Sequence, residues 1–124
     1  MSDLQCPARF LVVAAPGTVR PEPLAESLRH ERVAAVYDAP PHADEARALA
    51  GALGLPLHDM TRRLTLAEVA AQSPGALDVL RDLADLHRGE TVVVVGEGPA
   101  GRRVDVSVDG DGVAVTQVSP EGAT

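Results

Sequence analysis

Several short strings in this chain have residue types and spacings that could do chemistry. The string VVVVGEGPAG places Gly96, Gly98 and Gly101 in a GxGxxG pattern directly after an apolar run. Such a loop can cradle a pyrophosphate at the start of a helix. Here the next stretch, RRVDVSVDGDG, alternates with period two. No dinucleotide-binding helix is expected, and the glycines read as a turn leaving a sheet. Asp109 and Asp111 with interleaved glycines are part of a calcium-loop pattern, but the later Glu is missing and a hairpin turn explains them. His30, His42, His58 and His87 have no HxxxH or HxH spacing, and Cys6 is the single cysteine. Neither a metal site nor a disulfide is expected, and no cofactor is implied. Arg62-Arg63 reads as a solvated pair before it reads as an anion site.

The elements that must position these residues follow from hydrophobic patterning. Phe10 to Ala15 is a continuous apolar run closed by Pro16-Gly17, the pattern of a strand covered on both faces. A helix is expected from Pro21 to His30, with Leu24, Ala25 and Leu28 on one side, followed by a buried strand over Val33 to Tyr37. Pro40-Pro41 opens a second helix carrying Ala43, Ala46, Leu49, Ala50 and Leu53, which Gly54 ends. Leu64, Leu66, Ala67 and Val69 predict a short helix after a loop. Ser73-Pro74 starts another helix, with Leu77, Leu80, Leu83 and Leu86 as its apolar stripe and Gly89 as its stop. The valines of Thr91 to Val95 belong at the centre of a parallel sheet. Val104, Val106 and Val108, then Val113, Val115 and Val118, predict a closing β-hairpin. The fold class is therefore α/β: a three-layer α/β/α sandwich with a mostly parallel central sheet and a C-terminal hairpin. Residues 1–124 read as one domain, with 119–124 as a loose tail.

Composition narrows the function classes. The chain of 124 residues has 11 basic and 18 acidic side chains, a net charge of −7, and one Phe and one Tyr as its aromatics. It lacks the basic stripe and stacking rings of a nucleic-acid binder. Lys, Asn, Ile and Trp are absent while Ala, Gly, Pro, Arg and Val abound, the codon signature of a GC-rich bacterial genome. No lysine is present to form a Schiff base. The start MSDLQCPAR has no signal-peptide pattern, so a cytoplasmic location with no membrane partner is expected.

Three strings, LVVAAPGTV, then LAESLRHERVAAVYDAPPHADEARALAGALGLPL, then LADLHRGETVVVVGEGPAG, resemble in order the histidine phosphatase superfamily, the phosphoglycerate mutase-like proteins. The resemblance spans residues 10 to 60 and 77 to 101, and implies a truncated form of that fold. It also implies that the family's site is lost. Where members have Arg-His-Gly this chain has Ala15, Pro16 and Gly17. The second phosphate-binding Arg falls at Ala43, beside His42, and the second His falls at Glu97. Glu68 is the nearest counterpart of the family's acid-donating Glu. A phosphohistidine enzyme needs cations around a dianion, so neither phosphatase nor mutase activity is expected.

The carboxyl ends of the first, second and Val92–Val95 strands should converge on one crevice. Asp38, His42 and Glu97 are the candidates there for repurposed acid–base chemistry. Ala15, Pro16, Gly17, Thr18, Arg20, Ala43 and Gly98 are the candidate binding residues. Two readings remain open. One is a non-phosphatase relic that binds a small, non-phosphorylated molecule or acts as a scaffold. The other is an enzyme with isomerase, cyclase or dehydratase-like chemistry in bacterial specialised metabolism. The helix that family members carry after the second His is missing, which should leave apolar sheet surface exposed and favour a homo-oligomer, most simply a dimer.

Overall fold

A computed structural model describes residues 7–14, 25–26, 28–38, 43–60, 63–98, 103–109 and 112–118. The architecture is α/β. Strands β1 (Ala8–Ala14), β2 (Val33–Asp38), β3 (Leu57–Asp59), β4 (Thr91–Gly96), β5 (Arg103–Val108) and β6 (Val113–Val118) form a six-stranded sheet in the order β3-β2-β4-β1-β5-β6. The first four in that order run parallel, and β5 and β6 are antiparallel to their neighbours. Three α-helices are described: α1 (Ala43–Leu53), α2 (Leu66–Ala70) and α3 (Pro74–Leu86).

The apolar runs occupy the middle of the sheet because both of their faces are covered. Successive side chains of a strand point to opposite faces. Val92 and Val94 join Phe10, Val12, Tyr37, Leu66, Val69 and Leu80 in one core cluster. Val93 and Val95 join Leu11, Val13, Val36, Leu28 and the α1 residues Ala46, Leu49 and Ala50 in another. Thus α2 and α3 pack on one side of the sheet and α1 on the other. Gly54 ends α1 with φ 70°, and the Leu55 N–H reaches back to the Ala50 carbonyl at 3.0 Å, as in a Schellman turn.

Two elements differ from expectation. Strand β3 was not anticipated; it is three residues long and follows Pro56, too short for a periodic signal. In α3 the deeply buried residues are Ala76, Leu80 and Ala84, spaced by four. The stripe read at Leu77, Leu80, Leu83 and Leu86 is spaced by three, and steps of three drift back around the helix by about 60° each. Leu86 therefore ends on the far side and is 72% exposed.

The hairpin shows a period-two pattern. Val104, Val106 and Val108 are buried in the first cluster, while Arg103, Asp105 and Ser107 face the other way and are half-buried. Arg9 of β1 and Glu31, in a 3-10 turn at Arg29–Glu31, complete a ring of charges there. Arg9 meets Glu31 at 2.9 Å and Asp105 at 3.3 Å. Arg103 meets Asp105 at 2.7 Å and Glu31 at 3.3 Å. Ala114 and Thr116 lie opposite Ser107 and Asp105 on β6 and are exposed. This side of the hairpin is polar, so among the described residues the apolar sheet surface expected to drive self-association is not seen.

Candidate functional site

The register brings the carboxyl ends of β1, β2 and β4 level. Ala14 lies beside Gly96, and Asp38 lies beside Val95. Asp38 is the last residue of β2, on the same side as Val36, and is 2% exposed. Its main-chain carbonyl accepts the Met60 N–H at 2.8 Å, tying the strand end to the segment after β3. Ala15, Pro16, Gly17, Thr18, Arg20 and His42 lie outside the described residues. Ala43 opens α1.

Glu97 follows β4 and is exposed. Its carboxylate spans Arg63, with Nη2 at 3.1 Å and 3.3 Å from the two oxygens. Both carboxylate oxygens are thus engaged by one guanidinium nitrogen, which suits Glu97 to holding the Leu64–Leu66 side of the strand end in place. Arg63, read from the sequence as one of a solvated pair, is exposed but engaged.

The glycines on either side of Glu97 have a packing reason. A short parallel bridge joins Thr65 to Glu97. The Glu97 N–H donates to the Leu64 carbonyl and the Leu66 N–H donates to the Glu97 carbonyl, both at 2.9 Å. A Cβ on Gly96 would stand 2.8 Å from the Leu64 carbonyl oxygen, and one on Gly98 would stand 3.3 Å from the Leu66 side chain. Gly96 admits another backbone and Gly98 a neighbouring side chain, and close approach of this kind is one use of glycine in such a loop. Strand β5 follows instead of a helix, so the dinucleotide fingerprint lacks its second half.

Glu68 also has a structural assignment. Its carboxylate accepts the Thr65 N–H at 3.2 Å while Thr65 Oγ1 accepts the Glu68 N–H at 3.0 Å. This is a capping box at the start of α2, and the Thr-x-x-Glu spacing announces it in the sequence. In the hairpin turn, Asp109 Oδ1 accepts the Gly112 N–H at 2.8 Å. Among the described residues no group of three His, Cys, Asp or Glu is placed to hold a metal ion.

One polar chain was not anticipated. The Tyr37 hydroxyl lies 2.7 Å from His87 Nε2, and His87 Nδ1 lies 2.7 Å from the Glu90 carboxylate. The carboxylate can only accept, so Nδ1 carries the hydrogen, and in the neutral ring Nε2 accepts from the phenol. His58 packs against the Tyr37 ring with centroids 4.9 Å apart. The order Tyr-His-Glu has the layout of an activated nucleophile, its base and an orienting acid. Its electrostatics oppose that role. Burial first, and the negative charge of Glu90 second, hold the phenol above its ordinary value of 10.0, so it stays protonated and acts as a donor. The chain fastens β2 to the turn after α3, where Gly89 takes φ 77°.

A pH dependence follows. A pKa raised by folding contributes stability that is fully present below pH 10.0 and lost as pH rises through the folded value. Tyr37 is the single tyrosine of a chain without tryptophan, so its ultraviolet titration is uncluttered. The folded protein should form tyrosinate at higher pH than the unfolded chain. Tyr37→Phe should abolish this alkaline loss and cost about 1–2 kcal/mol at neutral pH by stranding His87 Nε2. Coincident titration of folded and unfolded Tyr37 would contradict the assignment.

These observations define an α/β protein with a largely parallel sheet, whose converging strand ends carry Asp38 and an Arg63-paired Glu97. No family model matches the chain, and no curated protein does. Among the described residues no helix is long and apolar enough to cross a membrane.

Proposed function

We propose that this protein binds a small, non-phosphorylated molecule, cationic or uncharged, at the carboxyl ends of β1, β2 and β4, without phosphatase or mutase activity. The observation that carries this reading is Asp38, a carboxylate 2% exposed at the end of β2 and level with Val95 of β4. In open α/β sheets ligands sit outside the carboxyl ends of the strands. An acidic side chain there suits a hydrogen-bond donor or a cation and offers a phosphate no positive charge to bind. The replacements at Ala15, Pro16, Ala43 and Glu97 agree with it, because each removes a group that would hold a phosphoryl oxygen in the resembling family. Both oxygens of Glu97 are occupied by Arg63 Nη2, so the binding reading is favoured over one in which Glu97 serves as a free acid or base.

The test is a thermal-shift screen of primary amines, neutral polyols and phosphomonoesters. A ligand at a hundred times its dissociation constant stabilises by about 2.7 kcal/mol, a shift of several degrees in a domain of this size. At least one amine or neutral compound should give such a shift in the parent protein. Asp38→Asn should lose it while keeping its circular dichroism. Stabilisation confined to phosphomonoesters, or their hydrolysis, would overturn the reading.

A further inference from the structure

We infer that β6 is a self-pairing edge, through which two copies of this chain join their sheets about a two-fold axis. The two edges of the sheet are built differently. The β3 edge is three residues long, bears His58 and Asp59, and follows Pro56. Short length, charge and proline are the usual ways of blunting an edge. The β6 edge, VAVTQV, is six residues long and has no charge and no proline. Among the described residues no strand pairs with its outer side.

The register of the hairpin shows which backbone groups face outward. The Asp109 N–H donates to the Gly112 carbonyl, so that pair is hydrogen-bonded. Antiparallel pairs alternate from there. Val108·Val113 is then a non-bonded pair, as are Val106·Val115 and Val104·Gln117. Consistently, β5 turns Val104, Val106 and Val108 toward β1, where they lie opposite Val12, Phe10 and Ala8. On β6 the outward N–H and C=O groups therefore belong to Val113, Val115 and Gln117.

An antiparallel pair centred on Val115 satisfies all of them. Val115 meets Val115 of the second copy, and Val113 meets the second copy's Gln117 in both directions. A shift of two residues either way leaves one outward residue of each copy unpaired. The same pairing sets the two Val115 side chains together. Val113 and Val115 are only partly buried at the border of the first core cluster, and a second copy continues that cluster across the axis. Charge selects the same partner. The chain carries −7, and a strand without charges is where two copies approach with little repulsion, while it has nothing to attract an acidic or basic partner.

A single strand pair buries less than the roughly 1,200 Å² typical of stable complexes. The dimer is therefore weak, with a dissociation constant on the order of 100 μM. Sedimentation equilibrium across a concentration series tests it. The parent protein should pass from monomer to dimer, and the Val115 amide should gain hydrogen-exchange protection as concentration rises. Val115→Pro removes an outward N–H and leaves the ladder to β5 intact, so it should remain monomeric. Thr116→Lys, at an exposed position, should weaken the dimer at least tenfold and covers the case in which the proline variant fails to fold. Leu86→Ala, on the exposed side of α3, should dimerise like the parent. A parent monomeric to about 1 mM (well above the expected constant) would overturn the inference. So would a dimer that survives Val115→Pro or Thr116→Lys, one abolished by Leu86→Ala, or an open-ended assembly.

Discussion

Phe10→Ala is expected to destabilise the fold by about 3–5 kcal/mol, the range for emptying a large aromatic site in a core. Phe10 is fully buried at the middle of β1, opposite Val92 of β4 on one side and Val106 of β5 on the other. These neighbours are backbone-paired on both flanks, so they cannot slide together to fill the space. Domains of this size are typically stable by only 5–15 kcal/mol, and the loss is a large share of that. Urea unfolding monitored by far-ultraviolet circular dichroism would show a lower midpoint with an unchanged slope. A loss below about 1 kcal/mol would mean that the β1–β5 seam is looser than its burial implies.

Gly96→Ala is expected to cost about 1–3 kcal/mol, as other insertions of a methyl group into filled space do. The new Cβ would meet the Leu64 carbonyl oxygen at 2.8 Å. That oxygen is backbone, fixed by its own hydrogen bond from Glu97, and cannot rotate away as a side-chain tip would. Either β4 shifts, disturbing Val95 beside Asp38, or the Leu64–Leu66 segment detaches. Gly98→Ala is the internal comparison. Its Cβ would stand 3.3 Å from Leu66 Cβ, a contact that a shift of a few tenths of an ångström relieves, so the cost should be smaller. Amide exchange would locate the damage, with faster exchange at Leu66 and Glu97 in Gly96→Ala. Equal effects of the two substitutions would contradict the packing role assigned to Gly96.

Much of the fold was legible because long apolar runs have few ways to be buried. Val92 to Val95 could be covered on both faces only inside a sheet, and Val104, Val106 and Val108 alternate because one side of the hairpin is polar. Strand β3 was missed because three residues beside a proline borrow their extended form from the neighbouring β2. The four leucines of α3 do not mark its buried side, which Ala76, Leu80 and Ala84 form, because the small alanines let the helix approach the sheet and carry little hydrophobic signal in the sequence. Of the candidate site, Asp38 could be found because it ends an apolar strand. The partner of Glu97 could not, because Arg63 is 34 residues away and arrives through the Thr65–Glu97 bridge. The Tyr37–His87 contact spans 50 residues and likewise leaves no local signature. The capping box of Thr65 and Glu68 was readable from spacing alone, and it explains Glu68 without any catalysis.

The most direct measurement of the proposed binding site is an amide-resolved nuclear magnetic resonance titration of the protein with inorganic phosphate and, separately, with an amine selected by thermal shift. The amine should move the signals of Tyr37, Asp38 and Val95 in a saturable way, and phosphate should leave them in place. Saturable shifts with phosphate at Ala14, Gly96 and Glu97, without a response to the amine at Asp38, would contradict a site remodelled away from phosphate.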